Sequence, residues 1–192
     1  DPAVMEDLGD FYIGIHDIDA AKTLFVRLRQ LAPTAYRLTR LAQITAVEGD
    51  WTEAERLIRE AVALDPRSTQ SYALWLKMPV AGTGAESPAG EIRSILDRDP
   101  DFDALRKELA EYHLENNRLE TAQALLQYTP ATEERRAGLQ RVAGDVLLRL
   151  GDFTGAADAY RSYLGTFPYD LHAADLRMFI TVHAFRNEAL GL

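Results

Sequence analysis

Residues 49–66 read GDWTEAERLIREAVALDP and contain the signals for one complete helix, from its start to its end. Apolar side chains recur at i, i+3 and i+4 spacing across 51–64, which is typical of an amphipathic helix. Asp50 is placed to cap the first turn, and Glu53 three residues later would complete a capping box. Gly49 suits the left-handed end of a preceding helix, and Asp65-Pro66 ends this one because proline lacks a backbone donor. The stretch predicts a helix that follows another helix after a short turn.

Prolines of the kind that ends a helix recur at regular intervals along the chain. Pro33, Pro66 and Pro100 are separated by 33 and 34 residues, and Pro168 follows Pro100 by 68 residues, which is twice 34. Such a spacing indicates a repeated helical hairpin. The predicted units are 2–34, 35–68, 69–102, 103–136 and 137–168, followed by a capping or continuing helix over 169–192. Because no stretch alternates between apolar and polar residues, we expect an all-α solenoid without strands.

Small and large residues occupy the same places in successive units. Small residues at positions 8 and 20 of the unit let two helices approach closely, and large apolar residues at positions 7 and 24 fill the space between hairpins. The residues at these and neighbouring repeat positions are Leu8, Gly9, Tyr12, Ala21, Phe25, Pro33, Leu41, Ala42, Gly49, Ala54, Ile58, Ala61, Ala143, Gly144, Leu147, Gly151, Ala156, Tyr160 and Pro168. The pattern resembles the tetratricopeptide repeat. The resemblance covers nearly the whole chain and implies a right-handed superhelical α-solenoid of antiparallel helix hairpins.

The third and fourth units depart from the pattern. Pro79 falls where the first helix of the third unit should continue, and a glycine-rich stretch follows over 81–87. We interpret that stretch as a loop in which Ser87 caps a helix starting at Pro88, because no strand precedes it and no Gly-Lys-Ser/Thr follows, as a phosphate-binding loop would require. The fourth unit has Glu134 in place of its last proline, and Thr129-Pro130 instead indicates an early helix start. The first helix of the fifth unit should therefore be longer than usual.

Composition excludes several classes of protein. The 192 residues carry a formal net charge of −9, which opposes nucleic-acid binding because phosphate contacts need clustered Lys and Arg. The absence of cysteine excludes disulfides, thiolate zinc sites and thiol catalysis. No apolar run reaches the roughly 18 residues of a membrane span. The chain begins with Asp1 and not Met, so we expect a processed or excised piece of a longer protein.

Residues with catalytic or metal-binding chemistry are present but not arranged for it. His172 and His183 lie 11 residues apart, which is roughly 16 Å along a helix and too far for both to bind one metal ion. His16 belongs to a turn, and His113 occupies an aromatic position of its repeat. No metalloprotease or nucleophilic-serine motif occurs. We therefore expect no enzymatic activity, no cofactor and no metal.

Candidate binding residues follow from the resemblance, in which side chains of each unit's first helix line the concave face that binds partners. Carried over by repeat position, the candidates are Glu6, Asp10, Tyr36, Arg40, Gln43, Lys77, Lys107, Glu111, Arg141, Asp145 and Arg149. One subfamily binds the C-terminal carboxylate of chaperones through Lys, Asn and Arg at these places. Glu6 and Asp10 replace the required Lys and Asn, so they would repel a carboxylate and disfavour that mode of binding.

The resemblance implies a non-catalytic scaffold that binds a protein partner, either a peptide segment or a folded domain, on the concave face. Such arrays in Gram-negative bacteria resemble the periplasmic parts of exopolysaccharide-export proteins at the outer membrane. The periplasm is therefore favoured over the cytoplasm by analogy alone, and the sequence itself leaves the compartment unknown. Two alternatives stay open: a regulatory or substrate-recruiting region of a multidomain enzyme, and a self-assembling oligomer joined through repeat ends or through the apolar side of 170–189.

Overall fold

The computed structural model describes residues 1–79, 88–128, 130 and 132–190, and within these the side chains of all but 133, 134 and 183–190. The predicted loop with its cap at Ser87, and the side chains of His183, Phe185, Arg186, Asn187 and Glu188, lie outside this description. The helix start predicted at Thr129-Pro130 is wrong by three residues, because the helix begins at Glu133 and the Thr132 side chain caps it.

The described residues form helices and no strands. The eleven helices are α1 (Pro2–Gly14), α2 (Ile18–Leu31), α3 (Ala35–Val47), α4 (Trp51–Leu64), α5 (Thr69–Lys77), α6 (Pro88–Arg98), α7 (Asp103–Glu115), α8 (Leu119–Leu126), α9 (Glu133–Leu150), α10 (Phe153–Thr166) and α11 (Leu171–Leu190). The all-helical prediction is confirmed, and so is the short first helix before Pro79, since α5 has 9 residues. The predicted long helix of the fifth unit is α9, with 18 residues.

Hairpin turns are built the same way in several places. Residues with positive φ stand at His16 (63°), Gly49 (87°), Asn117 (55°) and Gly151 (82°), each two residues before the first residue of a second helix. The next residue caps that helix: Asp17, Asp50 and Asp152 accept hydrogen bonds from Ala20 N (3.2 Å), Glu53 N (3.1 Å) and Gly155 N (2.9 Å). These side chains satisfy amide groups that the helix itself leaves unpaired.

The predicted capping box of α4 is only half correct. Asp50 caps the helix as expected, but its own amide donates to the Thr45 carbonyl at 3.1 Å. The Glu53 carboxylate instead accepts from Arg56 Nη2 at 2.6 Å. The reciprocal bond is replaced because a guanidinium one turn away is the stronger partner for a carboxylate.

The chain divides into two compact units, 1–94 and 95–192, with the boundary inside α6. In unit 1 the largest buried side chains include Phe25, Leu38 and Tyr72. In unit 2 they include Leu105 and Tyr160. Each core lies between the helices of successive hairpins, so the polar sides of the helices remain available at the surface.

Candidate protein-binding surface

Four of the predicted binding residues within 1–94 form one hydrogen-bonded group between α1 and α3. The Tyr36 hydroxyl donates to the Asp10 carboxylate, and Arg40 Nε lies 2.9 Å from Asp10 Oδ1. Arg40 also donates to Gln43 Oε1 at 3.1 Å, and its guanidinium carbon lies 5.2 Å from the centre of the Tyr36 ring. We call this group, together with Glu6 and Arg37, the N-terminal charge cluster.

Glu6 is held by Arg37, a residue that the sequence analysis did not select. Arg37 Nε donates to Glu6 Oε1 at 2.6 Å, and its Nη1 donates to the Ala32 carbonyl at 2.5 Å. The side chain of Arg37 is only 9% exposed. Two acids in the cluster therefore face two arginines, which balance their charge.

The C-terminal charge cluster joins α7, α9 and α10 in unit 2. Arg141 Nη2 lies 2.6 Å from Glu111 Oε1 and its Nη1 lies 3.3 Å from Asp145 Oδ2. Lys107 Nζ approaches Glu111 Oε2 at 3.7 Å and Glu108 Oε1 at 3.5 Å. The Tyr160 hydroxyl of α10 donates to Asp145 Oδ1 at 2.5 Å. With Glu108 and Tyr160 added to the four predicted residues, two cations face three acids, so this cluster is net acidic.

Burial and hydrogen bonding shift the pKa values of one or more groups in each cluster. Burial raises the pKa of Glu111 above its ordinary value, and nearby Lys107 and Arg141 oppose the rise. Burial, together with a hydrogen bond to a carboxylate, also raises the pKa of Tyr36 and of Tyr160. Both tyrosines therefore remain hydrogen-bond donors at neutral pH. The arrangement holds fixed charges and donors in place, which suits recognition of a partner's surface.

Lys77 and Arg149 stand apart from the two clusters. Both side chains are exposed, Lys77 at the end of α5 and Arg149 in the last turn of α9. Among the described residues, neither side chain forms an ion pair or a hydrogen bond. The structure thus brings together nine of the eleven candidates in two groups and leaves these two as isolated exposed cations.

Sequence reasoning missed Arg37 and Tyr160, which hold the predicted acids in place. Arg37 lies 31 residues after Glu6, almost one repeat, and this spacing of opposite charges was the available signal. Tyr160 was recognised only as the aromatic residue of its repeat, and its 0% exposure agrees with that role. Its hydroxyl reaches Asp145 because the ring lies against Gly144, where a side chain would block it.

Other chemistry is not assembled in the described part of the chain. No group of three or more His, Asp or Glu side chains there is placed to bind a metal ion. Within the same residues, none of the helices combines the length and the apolar composition needed to cross a bilayer.

One part of the chain matches a known repeat family. Residues 107–170 match the family model of the tetratricopeptide repeat. The search of proteins with curated function gave no match.

Similar solved structures cover almost the whole chain. A thermophilic tetratricopeptide-repeat protein of Thermus thermophilus is 19% identical and has a TM-score of 0.57, with 96% of this chain and 100% of that chain covered. A tetratricopeptide-repeat protein of Parabacteroides merdae is 11% identical, with a TM-score of 0.59 over 98% and 75% of the two chains. PilF of Pseudomonas aeruginosa is 15% identical, with a TM-score of 0.58 over 99% and 87%. The chain therefore has the fold of tetratricopeptide-repeat proteins, and residues 107–170 also carry the family's sequence pattern.

Proposed function

We propose that this chain is a non-catalytic scaffold that binds a protein partner through the first helices of its repeats, by way of the N-terminal and C-terminal charge clusters. The fold is that of protein-interaction scaffolds, and the repeat family is in general not catalytic. In this proposal the array consists of the five units 2–34, 35–68, 69–102, 103–136 and 137–168 with a terminal helix.

The observation that carries the proposal is the arrangement of opposite charges on neighbouring first helices. The Arg40–Asp10 pair is 31% exposed at both side chains, and the Arg141–Glu111 pair is 34% and 26% exposed. Such pairs contribute only about 0–1 kcal/mol to stability when they face water. They still present both signs of charge in fixed positions. A partner with alternating acidic and basic side chains would replace water around them and gain specificity.

An affinity experiment tests the proposed surface. The chain captures its partner from lysate of the source organism, and calorimetry then measures Kd for that partner. We expect Asp10→Asn with Arg40→Gln, or Glu111→Gln with Arg141→Gln, to raise Kd tenfold or more, which corresponds to about 1.4 kcal/mol.

The matched control is Arg29→Gln with Glu60→Gln. This pair joins the second helices α2 and α4 at 2.8 Å and is 31% and 34% exposed, so it resembles the tested pairs in charge and exposure but lies away from the first helices. Unchanged affinity in both test variants, with helicity retained, would exclude the first-helix face. Equal losses in the control would indicate a general effect of charge.

We also propose a bacterial envelope setting, within an exopolysaccharide-export or outer-membrane secretion protein. It is supported only by the resemblance of the repeats to such proteins. Fractionation of the source cells tests it, since the parent protein should then follow outer-membrane or periplasmic markers. An alternative is a recruiting region of a multidomain enzyme. In that case the charge-cluster variants should raise the KM of the parent enzyme for its protein substrate and leave its kcat unchanged.

A further inference from the structure

A small pocket with an uncharged lining lies between α8 and α9. Its volume is about 220 Å³. The lining residues are Gln123, Leu126, Gln127, Gln140, Ala143, Val146 and Leu147. The whole chain contains six glutamines, so half of them line this one pocket. We call it the glutamine pocket.

Helix α9 lacks large side chains that the earlier first helices bury at the same places. Steps of 34 residues back from Gln140 and Ala143 lead to Arg106, Leu109, Tyr72, Trp75, Leu38 and Leu41. All six of these side chains are buried. Gln140 and Ala143 are only half-buried. An alanine is too small to fill the space that a leucine or a tryptophan takes, so α9 leaves that space open.

Leu126 of α8 shows the effect from the other side of the pocket. The residues that stand at its place in the other second helices, in steps of 33 or 34, are Phe25, Ile58, Ile92 and Tyr160. All four are 0% exposed, whereas Leu126 is half-buried. The glutamine pocket therefore exists because a large side chain is missing from α9, and Leu126 is part of the apolar surface left uncovered.

The three glutamine amides of the pocket are available to a ligand. Among the described residues, none of these side chains forms a hydrogen bond. Each amide offers both N–H donors and a carbonyl acceptor, and a peptide group offers the same two functions in return. An ionised side chain would lose water in this pocket and find no opposite charge in the lining, which costs free energy.

Size and lining together select the occupant. Pockets for drug-sized ligands begin at roughly 300 Å³, so this one takes about one side chain with its flanking peptide groups. The apolar part of the lining suits an aliphatic side chain, which is what α9 lacks at Ala143. The amides suit the peptide groups on either side of it.

We propose that the glutamine pocket binds one leucine-like side chain of an extended peptide segment of a partner protein, with the glutamine amides hydrogen-bonded to the flanking peptide groups. In such recognition, main-chain hydrogen bonds supply affinity and the side-chain pocket supplies specificity.

This site goes beyond the proposed binding through the charge clusters and does not depend on it. Gln140, Ala143 and Leu147 follow i, i+3 and i+7 spacing and share one side of α9. Arg141 and Asp145 of the C-terminal charge cluster are four residues apart and share another side. The two sets of side chains can therefore be changed independently.

Two-dimensional amide NMR of the full chain tests the proposal, because glutamine side-chain amides give their own signals. The probes are capped pentapeptides of glycine and alanine around a central leucine, lysine, glutamate or alanine, each titrated to about 10 mM so that weak binding is detected. We expect the leucine peptide to shift the signals of Gln123 and Gln140 until they saturate. It should bind about tenfold more tightly than the other three peptides.

Filling the pocket should abolish this binding. Ala143→Leu restores the residue type found at Leu109 and Leu41, and it should weaken binding of the leucine peptide about tenfold or more. The variant should unfold at a temperature no lower than the parent, because Leu126 becomes covered. Ala124→Leu is the control, since it makes the same change at an exposed position of α8 outside the lining. It should bind the leucine peptide as the parent does.

A charge in the lining should reverse the selectivity. Gln123→Glu nearly preserves the shape of the side chain and introduces a carboxylate, so the lysine peptide should now bind more tightly than the leucine peptide. The charge-cluster variant Glu111→Gln with Arg141→Gln should bind the leucine peptide as the parent does. Failure of the pocket and failure of the charge clusters are therefore separate outcomes.

Four results would overturn the proposal. The absence of any shift in the parent would assign the pocket to another part of the chain or to a neutral small molecule. Equal shifts with the leucine and lysine peptides would show contact without selection. Retained binding in a folded Ala143→Leu variant, with folding checked by thermal unfolding, would place the peptide elsewhere. Unchanged selectivity in Gln123→Glu would do the same, and it decides alone should Ala143→Leu fail to fold.

Discussion

Gly9 and Gly144 lie on the first helix of a hairpin, directly against an aromatic ring of the second helix. A Cβ atom at Gly9 would lie 2.7 Å from the Phe25 ring, and one at Gly144 would lie 2.7 Å from the Tyr160 ring. Real Cβ atoms do not come so near, so the aromatic ring takes the space that any side chain at these positions would need. The glycine and the aromatic residue are thus one packing unit.

We expect Gly144→Ala to destabilise unit 2 by about 1–3 kcal/mol, the usual cost of overpacking, because the Tyr160 ring must move. The same shift should weaken the hydrogen bond from Tyr160 to Asp145. Gly138→Ala in the same helix is the control, since a Cβ there meets nothing within 4 Å. It should stabilise the chain by about 0.5–1 kcal/mol through helix propensity. Urea unfolding of the two variants measures both effects, and equal stabilisation would show that the ring gives way freely.

At the residue scale, the sequence was informative wherever one side chain determines its own surroundings. The need for small residues at Gly9 and Gly144, and for a left-handed residue at Gly49, follows from local geometry and was confirmed. For Glu6, charge spacing points to Arg37 as a candidate partner but does not select it, because the choice depends on which side chain of the next hairpin reaches back. A single sequence shows which residues are charged but not which of them come into contact across hairpins.

At the element scale, four second helices start from the same backbone geometry but not from the same residue. The capping residues Asp17, Asp50 and Asp152 have φ between −82° and −85° and ψ between 75° and 79°. Arg118, the corresponding residue before α8, has φ −97° and ψ 64° but forms no side-chain cap. Helix α8 therefore lacks the hydrogen bond that the other three possess.

Arg118→Asp should supply the missing cap and stabilise the chain by about 1 kcal/mol. The change also replaces a positive charge near the positive end of the helix dipole by a negative one, which adds to the effect. The matched variant Asp50→Ala should cost about the same amount, since it removes an existing cap. Thermal unfolding at neutral pH measures both changes. A destabilised Arg118→Asp chain would mean that the arginine has a role that outweighs the cap.

The element scale also explains why helix bounds were predicted well from the sequence. Caps, left-handed residues and prolines mark helix ends, and the helix predicted over 51–64 and the helix start predicted at Pro88 agree with α4 and α6 to the residue. Helix α8 ends at Leu126, where no glycine or proline stands. Where no helix-ending residue is present, tertiary packing decides where the helix ends.

At the scale of the whole molecule, stability should be local, because repeats contact mainly their neighbours. Leu57 is 1% exposed in the core of unit 1, so Leu57→Ala should cost about 2–5 kcal/mol. Hydrogen exchange read by mass spectrometry should then show lost protection in peptides of α3 and α4 and retained protection in α10. Leu64→Ala is the control in the same helix, since Leu64 is 52% exposed. Uniform loss of protection along the chain would contradict local stability.

The proposed binding surface could be predicted only in outline at this scale. The repeat register placed the candidate residues on the first helices, and the structure groups most of them. The repeat register could not reveal that Glu6 and Asp10 are paired with arginines. Those arginines, Arg37 and Arg40, belong to the hairpin that follows. The electrostatics of a repeat array arise between units, whereas a repeat motif describes one unit.

The ion pairs between neighbouring hairpins have a consequence for folding. Hairpins of one array have similar apolar faces, so a growing chain risks stacking two of them in the wrong order. Several ion pairs link residues 26 to 31 positions apart. Within 1–94 they are Lys22–Glu48, Arg29–Glu60 and Arg40–Asp10, and within 95–192 Arg141–Glu111 links residues 30 positions apart. Each pair is weak alone. Together they add a charge match between the first and second hairpins and between the fourth and fifth, which penalises misordered stacks of these hairpins before the cores close.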